Sequence, residues 1–225
     1  MPRALRTDVG GHIYHVLNRS NARMQIFDTK DDYMLFINVL QEAVERFDMR
    51  LLAYCMMPNH WHLVLQPKKD GDLSTFVGWL TNTHTRRWHA SKGTTGEGHL
   101  YQGRYKSFLC QNDDNHLLTV LRYVERNAKK AKLVSRAENW KYGSAYLYYK
   151  GTAKQKKILS KWPIQRPKDY LILLNSAITV EEEEVLEHSE KRGSPYGTLS
   201  WREGVVEKFG LQATVRPRGR PKKGG

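Results

Sequence analysis

The chain has 225 residues, 40% of them hydrophobic and 27% charged, which excludes a fully disordered chain and fits one large domain with or without an appendage. No run approaches the ~20 apolar residues of a membrane span, no secretory leader is visible, and Cys55 and Cys110 are too few for a disulfide framework or a thiolate cage, so a cytoplasmic protein is expected. Lys and Arg number 37 against 23 Asp and Glu, a formal charge of +14, and such an excess draws polyanions, nucleic acid first and an anionic membrane surface second.

Residues 12–19 are β-rich, follow Gly10 and Gly11, and predict a first strand. Tyr33, Phe36, Ile37, Leu40, Val44 and Phe47 then recur at helical spacing, with acidic and capping residues over 28–32. Residues 50–57 and 60–66 form two β-like runs joined at Pro58 and Asn59, which suit a hairpin turn. A second helix carries Leu73, Phe76, Val77, Leu80 and Trp88. After a Gly-rich loop over 93–98, residues 104–111 predict a fourth strand. A third helix starts near 112–114, whose Asn and Asp side chains suit an N-cap, and carries Leu117, Leu121, Val124, Ala128 and Ala131 at core spacing. The order βαββαβ is that of a ferredoxin-like α+β sandwich with an extra helix. Residues 1–150 make this domain. Residues 151–212 predict a basic arm, broken by Pro163 and Pro167, and a small helical extension whose first helix carries the run Glu181 to Glu184. Residues 213–225 are too polar and Gly/Pro-rich to build a core and predict a disordered tail.

His60, Trp61 and His62 open the second strand of the hairpin. Alternate residues of a strand share a face, so both imidazoles point one way while Trp61, Leu63 and Leu65 point the other. A spacing of about 6.6 Å lets both reach one cation, although such pairs also occur as ordinary strand histidines. On the third helix, Tyr123 and Asn127 are neighbours on one face, with Lys130 close by. A Tyr hydroxyl is a poor nucleophile at its ordinary pKa, and a cation that polarises the attacked phosphate offsets this. The Asn127 amide oxygen suits a hard cation beside two imidazoles. The bland alternative is that Tyr123 packs at the helix–sheet boundary and Asn127 caps or is solvated.

The motifs Leu17-Asn-Arg-Ser, Met57-Pro-Asn-His-Trp-His62, Gly98-His-Leu-Tyr-Gln-Gly-Arg-Tyr-Lys-Ser107 and Arg122-Tyr-Val-Glu-Arg-Asn127 resemble those of the REP-associated tyrosine transposases. These are single-tyrosine HUH nucleases, named for two His around a hydrophobic residue. The resemblance covers about residues 10–150. It implies His60, His62 and Asn127 as ligands of Mg²⁺ or Mn²⁺ and Tyr123 as the nucleophile. Attack by Tyr123 would form a 5′-phosphotyrosine and free a 3′-OH. The substrate it implies is single-stranded DNA folded as the hairpins of repetitive extragenic palindromes. Arg19, Arg104 and Lys106, with Lys130, are candidate DNA contacts. Ala128 departs from the Pro that relatives carry there, and polar Thr83-His-Thr-Arg-Arg87 departs in a way that bears on DNA contacts or dimer packing.

Arg216, Arg218 and Arg220 alternate with Pro and Gly like the core of an AT-hook, a reader of the narrow minor groove of A·T-rich duplex, or else form a generic basic tail. Rival functions are a metal-dependent nuclease that uses water and a non-catalytic nucleoid or regulatory DNA binder. No membrane partner is expected, and the sequence is compatible with a monomer or a homodimer.

Overall fold

A computed structural model describes residues 7–216. The elements run β1 (Ile13–Arg19), α1 (Lys30–Phe47), β2 (Arg50–Met57), β3 (His60–Gln66), α2 (Asp72–Lys92), β4 (Lys106–Cys110), α3 (Asp114–Glu125) and α4 (Asn127–Lys130). Short helices follow: α5 (Ser144–Lys150), α6 (Ala153–Lys156), α7 (Tyr170–Asn175), α8 (Val180–Arg192), α9 (Leu199–Lys208) and α10 (Gln212–Val215). The strands pair antiparallel in the order β2-β3-β1-β4, the ferredoxin-like arrangement that the alternation of patterns predicted. Among the described residues no helix is long and apolar enough to cross a membrane.

Local chemistry sets the element ends. Thr29 and Asp32 close a capping box at the start of α1. The Asp113 side chain accepts the His116 N–H at the start of α3. Gly93, at φ 68°, takes the left-handed conformation that ends α2.

The two faces of the sheet bury different helices. Trp61, Leu63 and Leu65 pack with Phe36, Leu40, Phe76 and Leu80 of α1 and α2. Val64 and Phe108 pack on the opposite face with Leu117, Leu121 and Val124 of α3. The alternation along β3 therefore divides as its sequence predicted, and the two histidines lie on the α3 side.

Thr83 and His84 of α2 are buried, and Arg87 pairs with Glu42 of α1. Trp61 Nε1 donates to Tyr101 Oη at 2.9 Å, and the Tyr101 hydroxyl is 2.7 Å from His84 Nδ1. The hydroxyl thus ties the back of β3 to α2, while the main chain beside it docks on the end of β1 through Asn21 N–H to Leu100 O and Gln102 N–H to Arg19 O. Tyr101→Phe would leave a buried indole N–H and an imidazole nitrogen without partners, at a cost of about 2 kcal/mol. A chemical denaturation midpoint that does not move would refute this bridge.

Two features follow only from packing. The third helix, expected to run unbroken past Asn127, breaks at Arg126 (φ −96°, ψ 4°) and resumes as α4. Residues 151–212 pack against the rest of the chain. Trp162 Nε1 donates to Leu52 O at 2.8 Å, Tyr170, Leu174, Ile178 and Leu186 join the core under α3, and Val205 and Leu211 join the other.

Candidate active site

The strand register assembles one face. On β1, His15, Leu17 and Arg19 stand opposite Val64, His62 and His60 of β3, and Leu17 and His15 stand opposite Lys106 and Phe108 of β4. His60, His62, Arg19 and Lys106 consequently point to the same side, toward α3. They line one open cleft together with Arg23, Arg104, Tyr123, Asn127, Lys130 and Glu190.

His62 is almost fully buried, whereas His60 is half-buried and its Nδ1 lies 2.6 Å from Asn59 Oδ1. His62 Nδ1 is 2.9 Å from Nε2 of His15, a buried histidine that no motif had marked. The rings stack with centroids 5.1 Å apart. When His62 Nδ1–H donates to His15 Nε2, His62 Nε2 keeps a bare lone pair, the form that binds a cation. That Nε2 is buried without a partner.

Burial holds these imidazoles neutral. It brings His60 down to about 4, with help from Arg19, and His15 to about 3. His62 falls well below the ordinary histidine value because burial is reinforced by His60 and His15. His84 is lowered to about 3 by burial alone, against a small opposing pull from Asp32. A cation needs unprotonated imidazole, so the donor set fits one at neutral pH.

The same shifts predict acid lability. The unfolded state takes up protons below about pH 6.5 while the buried rings do not, so this stability is present above that pH and fades as pH falls toward the folded values. The slope approaches ~1.4 kcal/mol per pH unit for each of His15, His62 and His84. Glu125, raised by burial, opposes the trend in part. Thermal melts from pH 7.5 to 5 should show the midpoint falling, and a flat profile would exclude buried neutral histidines.

Tyr123 and Asn127 meet this face from α3 and α4. The Tyr123 ring contacts His15 and His62 edge-on, at 6.1 and 6.3 Å between centroids, and its hydroxyl donates to Glu190 Oε2 at 3.2 Å. Burial and then the Glu190 carboxylate push its pKa up. Asn127 Nδ2 donates to the carbonyls of Tyr123 (3.0 Å) and Val124 (3.4 Å), which cap the broken helix end and turn the amide oxygen free. Sequence reasoning had set capping and ligation against each other, but the two amide atoms can serve both.

The flanking residues of that motif have structural work. Arg122 Nε donates to Leu173 O at 3.1 Å, and the buried Glu125 carboxylate accepts from Ser144 Oγ (2.6 Å) and Tyr170 Oη (2.7 Å). They bind the C-terminal extension to the helix that carries Tyr123.

Of the candidate DNA contacts, Arg19, Arg104 and Lys106 line the cleft, and Arg19 Nε is buried without a partner. Lys130 is held by Glu183 (2.8 Å) and Glu187 (3.0 Å) of α8 and stands over the Tyr123 ring. Arg216 follows α10, its carbonyl oxygen accepting from Arg192 at 2.5 Å. Arg218 and Arg220 lie outside the described residues.

The family model described as Transposase IS200 like matches residues 8–127, more than half of the chain. The chain belongs to the IS200-like transposases. A Haemophilus influenzae protein described as a REP-associated tyrosine transposase is 25% identical over 117 residues, 48% of this chain and 66% of that one. A REP-associated tyrosine transposase solved bound to a REP hairpin superposes with a TM-score of 0.53 at 16% identity, over 64% of this chain and 82% of the other. The fold of this IS200-like transposase is thus shared with that structure. The family match ends at Asn127, so α8, which brings Glu190 to the Tyr123 hydroxyl, lies beyond it. No short motif signals Glu190, and the only cue in the sequence is an acidic helix in a basic chain.

Proposed function

We propose that this IS200-like transposase cleaves and rejoins single-stranded DNA folded as hairpins, with Tyr123 as the attacking group. The observation that carries the reading is the convergence of the Tyr123 hydroxyl, the imidazoles of His60 and His62 and the Asn127 amide on one cleft edged by Arg19, Arg104 and Lys106. His60, His62 and Asn127 would hold a divalent cation, Mg²⁺ or Mn²⁺, which supplies Lewis-acid polarisation of a phosphoryl oxygen when bound.

The protein's own groups do the rest. Arg19, Arg104 and Lys106 hold phosphates of the strand, which sets position without reading bases. His15 fixes the His62 ring. The Tyr123 oxygen bonds to phosphorus as the P–O3′ bond breaks, leaving a 5′-phosphotyrosine. Because its phenol is shifted upward, its proton passes to solvent as the new bond forms, and the departing 3′ oxygen takes a proton from solvent. Attack of a 3′-OH on the phosphotyrosine reverses the step and rejoins strands. No nucleotide cofactor is required, since the phosphodiester energy stays in the covalent link.

The hairpin substrate is supported by the solved relative, which is bound to a REP hairpin. One chain supplies each proposed group, which is compatible with a monomer or a homodimer. Arg216, Arg218 and Arg220 would add a contact to A·T-rich duplex. Incubating the protein with an end-labelled hairpin from DNA flanking its gene and Mn²⁺ should give an SDS-resistant adduct that keeps only label lying 3′ of the break. Cleavage with free 5′ ends and no adduct would instead assign the attack to water.

A further inference from the structure

Glu190 reaches the centre of the site without belonging to any motif. Among the described residues its carboxylate pairs with no Lys or Arg, and the one hydrogen bond it accepts comes from a neutral donor, Tyr123 Oη, at 3.2 Å. Its neighbours on α8 are satisfied: Glu183 and Glu187 hold Lys130, and Glu187 also holds Lys191. Arg19 and Lys106 act on Glu190 only at longer range. A carboxylate largely withdrawn from water without a counter-charge is costly.

A second orphan lies beside it. His62 Nε2 is buried with no partner, and ligand atoms of His15, His62 and Glu190 all lie within 4.8 Å of one another. Donors at about 2.1–2.2 Å from one ion can stand up to ~4.4 Å apart, so the Glu190 carboxylate and an imidazole nitrogen of this cluster lie close to the separation one cation spans. His15 is committed to His62 Nδ1, which leaves the histidine Nε2 and the carboxylate as the open pair.

We propose that Glu190 is a ligand of the divalent cation at the His60–His62 site, so that α8 supplies a carboxylate to a centre otherwise built from β3 and α4. This rests on the reading of His60, His62 and Asn127 as a cation site. A hard cation takes a carboxylate oxygen readily, and an anionic ligand raises affinity above that of a neutral set. The ligand also couples the extension to the chemistry, because the carboxylate that receives the Tyr123 hydroxyl bond is the one that would hold the ion.

The test is Mn²⁺ binding by the full chain without DNA, read by calorimetry and by the loss of the free Mn²⁺ electron-resonance signal. Glu190→Gln keeps the shape and can still accept from Tyr123, so the fold should hold. It should weaken Mn²⁺ binding about tenfold or more. Glu187→Gln removes an equal charge one helical turn away and should change affinity by no more than about twofold. Wild-type affinity in Glu190→Gln, or equal weakening in both variants, overturns the ligand assignment and leaves the histidine site standing. Failure of the wild type to bind Mn²⁺ overturns both. Should Glu190→Gln not fold, Fe²⁺ with peroxide and ascorbate on the wild-type protein decides. Cuts near residue 190 as well as 60–62 are expected, and cuts confined to β3 and α4 refute the proposal.

Discussion

Tyr123→Phe should form no covalent adduct with a hairpin while binding it as the wild type does. The substitution removes one oxygen and keeps a ring that is buried against His15 and His62 and lies under Lys130. Among the described residues the one side-chain hydrogen bond lost is that to Glu190, so stability should fall by no more than about 1 kcal/mol. Binding draws on the phosphates held by Arg19, Arg104 and Lys106, which the change leaves in place. The chemistry has no substitute. Tyr101 is spent on Trp61 and His84 behind the sheet, and Tyr105, although in the cleft, lies 3.2 Å from Ser74 through its hydroxyl on the α2 side. Mass spectrometry of the wild-type adduct should place the nucleotide on Tyr123. An adduct on another tyrosine would reject the residue, and wild-type cleavage by the Phe variant would reject covalent catalysis.

His62→Ala and His60→Ala should both reduce cleavage on the order of 10³-fold or more, the scale of losing electrostatic stabilisation of the transition state. Their effects on stability should differ. His62 is buried and bonded to His15, so its removal leaves a buried imidazole nitrogen unpaired and a cavity beside the His15 and Tyr123 rings, costing about 2–4 kcal/mol. His60 is half-buried at the mouth of the cleft, and its loss should cost under ~1 kcal/mol. Parallel measurement of hairpin cleavage and denaturant midpoints separates the two roles. If His60→Ala cleaves normally, or if the chain is fully active in excess chelator, the cation site is wrong.

The sequence by itself determined the sheet and the position of the candidate groups on it. Alternation along residues 60–66 divides the strand into an imidazole face and an apolar face. The Pro58–Asn59 turn sets the hairpin, and helical periodicity places Tyr123 with Asn127. These are local properties, with side chains alternating along a strand and recurring each turn of a helix, so they are legible without knowing what lies opposite. What covers each face is set by contacts between distant segments. That His15 orients His62, that Tyr101 and His84 brace Trp61, that Arg122 and Glu125 bind the extension, and that Glu190 meets the Tyr123 hydroxyl from 67 residues away are decided by register and packing. A buried polar group must find a partner wherever the folded chain supplies one, and no spacing in the sequence encodes where that is. The same reason accounts for residues 151–212. Their charge and prolines suggested a basic arm and a small helical extension, and Trp162, Tyr170 and Leu186 carry enough apolar surface to enter a core once α3 and the sheet present one.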